Sequence, residues 1–259
     1  MKFLTQLDQA ATRNNSLVCV GLDVDLKQLS TSAGQISDQI FSFNKKIVDE
    51  TKDLVCAYKP NSAFYEQYGL DGLSALLKSI EYIKSQTDIP VILDAKRGDI
   101  GNSSAAYATS AFKVFQADAV TVNPYMGYDS LEPFLNYEDK GVFVLCLTSN
   151  PGAQDFQPEL YLKVAQQVKE WNKHDNCGLV VGATKPEQLK AVRIITADMP
   201  LLIPGVGAQG GDVAQTVKNG INKNKLRAVI NSSRAIIYAK EPRVEAQKLR
   251  DLINEYRNS

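Results

Sequence analysis

The 259-residue sequence predicts an α/β protein, a (β/α)8 TIM barrel formed as one domain over residues 1–259. Short, nearly continuous apolar runs rich in β-branched residues recur at even spacing, as strands buried on both faces should. Amphipathic helical patterns fill the gaps, so parallel strands joined by crossover helices are the natural connection. The strand count reaches eight and no G-x-G-x-x-G opens the first helix. The barrel is therefore favoured over a doubly wound open sheet.

Taken in order, the strand-like runs are 16–22, 54–58, 91–93, 119–122, 142–147, 179–182, 201–203 and 228–230. The chain starts Met1-Lys2-Phe3-Leu4, which reads as the opening of an amphipathic helix rather than the apolar core of a signal peptide. Helical periodicity follows at 35–51, where Ile36, Ile40, Phe43, Ile47 and Val48 share a face. It recurs at 70–86 through Leu73, Leu76, Leu77, Ile80 and Ile83, then at 104–115, 130–137, 159–171, 186–196, 212–219 and 244–256. Pro186 suits a first helical turn, where its missing N–H costs nothing. Segments 125–129 and 150–158 are irregular, the latter polar.

Composition removes several function classes. Lys plus Arg and Asp plus Glu each number 29, so no basic footprint for nucleic acid or an anionic membrane exists. No stretch approaches the ~20 apolar residues of a membrane span; a cytoplasmic protein is expected. The four cysteines (Cys19, Cys56, Cys146, Cys177) form no C-x-x-C pair and sit in or beside apolar runs, so reduced core thiols are expected. A single histidine, His174, lies in a polar connection, which argues against a multi-histidine zinc site and a Ser-His-Asp triad. Chemistry must then run on Lys, Asp, Glu and backbone groups.

Barrel active sites gather at the C-terminal ends of the strands. There the sequence carries Asp23 after the first strand and Lys59-Pro60-Asn61 after the second. Asp94-Ala95-Lys96-Arg97-Gly98-Asp99-Ile100 follows the third. Residues two apart on a strand share a face, so Asp94 and Lys96 should point together, and a turn led by Gly98 can swing Asp99 back toward them. Such charges resist desolvation and point to chemistry. Thr148-Ser149-Asn150 ends the fifth strand, Pro204-Gly205-Val206-Gly207-Ala208-Gln209-Gly210-Gly211 the seventh, and Asn231-Ser232-Ser233-Arg234 the eighth. Glycines admit close backbone approach to an anion, and the loops after strands seven and eight of barrels often hold phosphate. Arg234 suits bidentate phosphate contact. These residues alone describe a barrel binding a phosphorylated small molecule beside an Asp/Lys cluster: a decarboxylase, an aldolase or an isomerase.

The Asp-x-Lys-x-x-Asp-Ile segment resembles that of the orotidine 5'-phosphate decarboxylases, and its Lys-Arg-Gly-Asp-Ile version resembles their longer bacterial class, often called type 2. The resemblance runs from Gly21-Leu22-Asp23 to Ser232-Ser233-Arg234. It implies cofactor-free loss of carbon dioxide from orotidine 5'-phosphate, giving uridine 5'-phosphate in the last step of UMP biosynthesis. In that scheme Lys96 protonates pyrimidine C6, and Asp94 sits against the departing carboxylate. Asp23 and Lys59 hold ribose hydroxyls, with Lys59 also bracing the carboxylates. Asp99 and Ile100 complete the site of a partner in a homodimer, beside a ribose contact through Ser103. Ser149 meets the pyrimidine and Gln209 bridges base and phosphate. Pro204, Gly205, Gly207, Gly210, Ser233 and Arg234 surround the phosphate end. Segments 150–158 and 209–212 are expected to form a mobile cover. Ser233 stands where shorter members carry glycine, and Gly101-Asn102-Ser103 replaces their Pro-x-Thr. Two rivals remain: a magnesium-dependent sugar-phosphate enzyme of the same barrel group, such as a 3-keto-gulonate-phosphate decarboxylase or hexulose-phosphate synthase, and a non-catalytic phosphate-ligand sensor. The first would want a further carboxylate at the second strand end, where Lys59-Pro60-Asn61 stands.

Overall fold

A computed structural model describes residues 1–29, 34–206 and 211–259. Among these residues eight parallel strands form one sheet: β1 (Val18–Gly21), β2 (Ala57–Lys59), β3 (Ile92–Arg97), β4 (Ala119–Val122), β5 (Gly141–Leu147), β6 (Cys177–Val181), β7 (Leu201–Pro204) and β8 (Ala228–Ser232). They pair in the order β2-β1-β8-β7-β6-β5-β4-β3. The two ends of that row meet through the parallel bridges Tyr58↔Val91 and Asn61↔Asp94, which close the barrel. Among the described residues, closure leaves no strand edge unpaired.

Helices run between the strands. They are α1 (Phe3–Arg13), α2 (Ile36–Thr51), α3 (Ala63–Glu66), α4 (Gly69–Gln86), α5 (Gly101–Thr109), α6 (Tyr128–Leu135), α7 (Gln157–Trp171), α8 (Pro186–Thr196), α9 (Val213–Gly220), α10 (Arg234–Ile237) and α11 (Pro242–Asn258). The periodic positions are the ones buried: Ile40, Ile47 and Val48 on α2, and Leu76, Ile80 and Ile83 on α4. Each such aliphatic side chain contributes about 1.5–3 kcal/mol on leaving water.

Four expectations change. The helix expected at 104–115 begins at Gly101 and passes into a π-helical turn over Ser110–Val114, which buries Ala111 and Phe112. The second strand is shorter than the apolar run 54–58 and ends at Lys59, while the third continues past Leu93 to Arg97. Segment 150–158 is not a plain loop: Pro151–Asp155 is a 3-10 helix and α7 starts at Gln157.

α1 closes the N-terminal end of the barrel. The Phe3 ring packs edge-on against Phe143 at 5.7 Å, and Asp8 pairs with Arg227 at 2.9 Å. The opposite end is left to the loops that follow the strands. All four cysteines are free and buried. His174 sits partly exposed beside Glu138, 3.3 Å away. Among the described residues no helix is long and apolar enough to cross a membrane.

Candidate active site

β3 supplies the centre of the site. Asp94 is buried where the strand meets the closing bridge to Asn61, its N–H donating to Pro60 O and its carbonyl accepting from Ser62 N. Its carboxylate lies between two ammonium groups: Lys59 Nζ donates to Oδ2 at 2.9 Å, and Lys96 Nζ to Oδ1 at 2.6 Å. The Thr121 hydroxyl on β4 donates to the same Oδ1 at 2.8 Å. Burial alone would raise the Asp94 pKa, but Lys59 and then Lys96 hold it well below the usual carboxylate range. Burial alone would likewise lower Lys59, whose side chain is only 5% exposed, yet Asp94 and Asp23 hold it above its ordinary value. Both groups are therefore charged at neutral pH.

Asp94 and Lys96 do meet, but not by simple strand alternation. Lys96 has φ +47°, and the β3–β4 register shifts between Leu93 and Arg97. The Lys96 N–H accordingly donates to Thr121 Oγ1 at 2.9 Å. A left-handed lysine costs about 1–3 kcal/mol, a strain that concentrates at functional positions. Thr121 thus fixes both members of the pair: it accepts from the Lys96 amide and donates to Asp94.

A pocket of about 650 Å³ opens above this cluster, lined by Asp23, Lys59, Asn61, Phe64, Asp94, Lys96, Leu145, Thr148, Ser149, Asn150, Pro204, Gly205, Val206, Asn231, Ser232, Ser233 and Arg234, among others. Asp23 follows β1 and accepts from Asn61 N at 3.3 Å. Ser149 follows β5. Its segment is tied to the first turn of α7 through Gln157, whose Oε1 accepts from Thr148 N at 2.7 Å and whose Nε2 donates to Thr148 Oγ1 at 2.9 Å. Thr148 in turn donates to Asn150 Oδ1 at 2.6 Å. Ser233 requires the glycine opposite it: a Cβ on Gly21 would lie 1.9 Å from Ser233 Oγ and 2.9 Å from Ser233 Cβ. A parallel bridge joins Val206 and Gly211, and Asp212 caps α9 by accepting from Gln215 N at 2.9 Å.

The structure therefore gathers Asp23, Lys59, Asp94, Lys96, Ser149, Pro204, Gly205, Ser233 and Arg234 around one cavity. Gly207, Gln209 and Gly210 lie outside the described residues. Asp99, Ile100 and Ser103 do not line this pocket. The turn at Gly98 does not return Asp99 to Asp94 and Lys96 within the chain, because the strand runs on to Arg97 and the Asp99 carboxylate accepts from Ile100 N at 2.8 Å. Ile100 is 53% exposed, and Ser103 is exposed on α5. Sequence reasoning missed Thr121, whose one signal is a hydroxyl inside the apolar run 119–122, and Gln157, which lies in a segment read as loop.

Comparison with known proteins agrees with this geometry. A family model described as "Orotidine 5'-phosphate decarboxylase / HUMPS family" matches residues 16–249. The chain is 50% identical to an orotidine 5'-phosphate decarboxylase of Ralstonia nicotianae, covering 100% of both chains. It is 47% identical to that of Dehalococcoides mccartyi, covering 99% of each. The solved structure of Leishmania donovani OMP decarboxylase superposes with a TM-score of 0.90 at 40% identity, covering 100% of both chains.

Proposed function

Because the chain belongs to the orotidine 5'-phosphate decarboxylase / HUMPS family, we propose that it converts orotidine 5'-phosphate to uridine 5'-phosphate, the last step of UMP biosynthesis, with Lys96 delivering the proton. The observation that carries this reading is the buried Asp94 carboxylate held between Lys59 and Lys96 in the pocket wall. Loss of carbon dioxide from C6 leaves an in-plane carbanion with little help from the ring carbonyls. An ammonium already fixed beside C6 stabilises that charge without reorganisation and then protonates it. The Asp94 contact at 2.6 Å and the Thr121 hydrogen bond to the Lys96 amide supply the fixing. Asp94 faces the substrate carboxylate and opposes it in the ground state. Asp23 and Lys59 take ribose hydroxyls, Ser149 the pyrimidine, and Ser233 with Arg234 the phosphate. Binding energy from that remote phosphate is available to the chemical step.

A magnesium-held enediolate fits this donor set less well. The carboxylates lining the described pocket are Asp23 and Asp94, and both Asp94 oxygens already accept from Lys59, Lys96 and Thr121. The four buried thiols support a reducing compartment, and we place the reaction in the cytoplasm.

We assign Asp99 and Ile100 to the site of a second copy in a homodimer. Both stand outside their own pocket, and Ile100, Tyr107, Tyr125 and Met126 are apolar side chains left exposed on the turns and helix after β3 and β4. Mixed Lys96→Ala and Asp99→Ala chains, each inactive alone, should regain activity on mixing; no recovery would contradict the assignment.

The activity itself is tested by the ultraviolet absorbance of orotidine 5'-phosphate with purified protein, with and without EDTA. Conversion to uridine 5'-phosphate unaffected by EDTA is expected. No change, together with magnesium-dependent turnover of pentulose or hexulose phosphates, would replace the reading with the sugar-phosphate one.

A further inference from the structure

We propose that the hydroxyls of Tyr65, Tyr68 and Tyr238 form a clamp that positions Asp23 for its ribose contact; this rests on the nucleotide reading above. β1 ends at Gly21, and residues 22–25 that follow have no regular structure. Their backbone groups need partners from elsewhere, and phenols supply them. Tyr65 OH donates to Leu22 O at 2.7 Å. Tyr238 OH donates to Asp23 O at 3.2 Å and accepts from Asp25 N at 2.6 Å. Tyr68 OH accepts from Leu26 N at 3.2 Å.

The three rings come from separate places: Tyr65 on α3, Tyr68 just before α4, and Tyr238 at the end of α10. Each is anchored. Tyr65 is fully buried and its hydroxyl accepts from Asn44 Nδ2 at 2.9 Å. Tyr238 packs on the Phe43 ring at 5.6 Å. Phenol rings have few torsions, so a hydroxyl at the end of one is a stiff strut.

Of residues 22–26, Asp23 alone lines the pocket. Three struts on five residues therefore fix one functional carboxylate, and with it the charge that supports the buried Lys59. Displacement of a positioning group by about 1 Å is enough to weaken its contacts severely.

The test is calorimetric binding of uridine 5'-phosphate and of 2',3'-dideoxyuridine 5'-phosphate, which lacks both ribose hydroxyls. Tyr238→Phe keeps the ring and removes the bridging hydroxyl; Tyr68→Phe removes the other surface-accessible strut. Tyr82→Phe, whose hydroxyl donates to Asp49 on the outer surface, is the control. Wild-type protein should prefer the ribonucleotide. Tyr238→Phe should weaken that ligand about tenfold and leave the dideoxy ligand within about twofold, with a smaller change of the same kind in Tyr68→Phe. Equal weakening of both ligands would show general damage and overturn the clamp, as would unchanged binding of both. Equal wild-type affinity for the two ligands would remove the ribose contact the clamp serves. Absence of any wild-type binding would overturn the nucleotide reading, and the clamp with it.

Discussion

Replacing Asp94 by Asn isolates the ion cluster at the heart of the site. Lys59, with 5% of its side chain exposed, would lose its hydrogen-bonded carboxylate and keep only the more distant Asp23. Removing one member of a buried pair costs about 3–5 kcal/mol, because the remaining charge is stranded. Lys96 is 44% exposed, and its pairing adds only about 0–1 kcal/mol. Asp94→Asn should therefore destabilise by about 3–5 kcal/mol. Urea unfolding followed through the single tryptophan, Trp171, reads this directly. At a slope of about 3 kcal/mol/M the midpoint falls by about 1–1.7 M. Adding Lys59→Met removes the stranded charge, so the double variant should recover most of the loss while remaining inactive. A loss below about 1 kcal/mol in Asp94→Asn, or a double variant no more stable than the single, would refute the argument that Lys59 and Asp94 depend on each other.

Other consequences follow from the same geometry. Asp94 is held below its unfolded value of about 3.9, so its contribution to stability is present above that pH and is lost as pH falls through the folded value; Lys59 is held above about 10.4, so its contribution is present below that pH and lost at higher pH. The difference in unfolding free energy between wild type and the double variant should then be flat from about pH 5 to 9, and a slope inside that window would contradict these directions. Thr121→Val keeps the shape of the side chain but orphans the Lys96 N–H. It should lower kcat about 10–100-fold at a stability cost of about 1–3 kcal/mol, and an unchanged kcat would show that Lys96 needs no such support. Gly21→Ala should displace Ser233, because the new methyl would sit 1.9 Å from its Oγ and 2.9 Å from its Cβ. KM should rise about tenfold or more, and Ser233→Gly in the same chain should relieve the clash; no rescue would place the damage elsewhere.

Much of the barrel was legible because its strands are buried on both faces and announce themselves as apolar runs: 119–122 and 186–196 coincide with β4 and α8 to the residue. The start of β2 was less so. Residues 54–56 are as buried as the strand itself but only lead into it, and burial does not distinguish the two. Asp23, Lys59, Asp94 and Lys96 were legible as unusual charges at strand ends. The way Lys96 reaches Asp94 was not. It depends on a left-handed backbone and on the register of β3 against β4, and a tertiary hydrogen bond to Thr121 decides both. The same limit hid the tyrosines around Asp23, which lie 42 to 215 positions away from the backbone groups they hold. Asp99 was legible as a charge, but its direction follows from where β3 stops.

The central claim is that the Lys96 ammonium performs the proton delivery while other residues bind the nucleotide. Turnover of orotidine 5'-phosphate by Lys96→Ala, measured beside its affinity for uridine 5'-phosphate, tests this most directly. Turnover should fall more than about thousandfold while product affinity stays within about tenfold of wild type. Retained turnover would contradict the role given to Lys96.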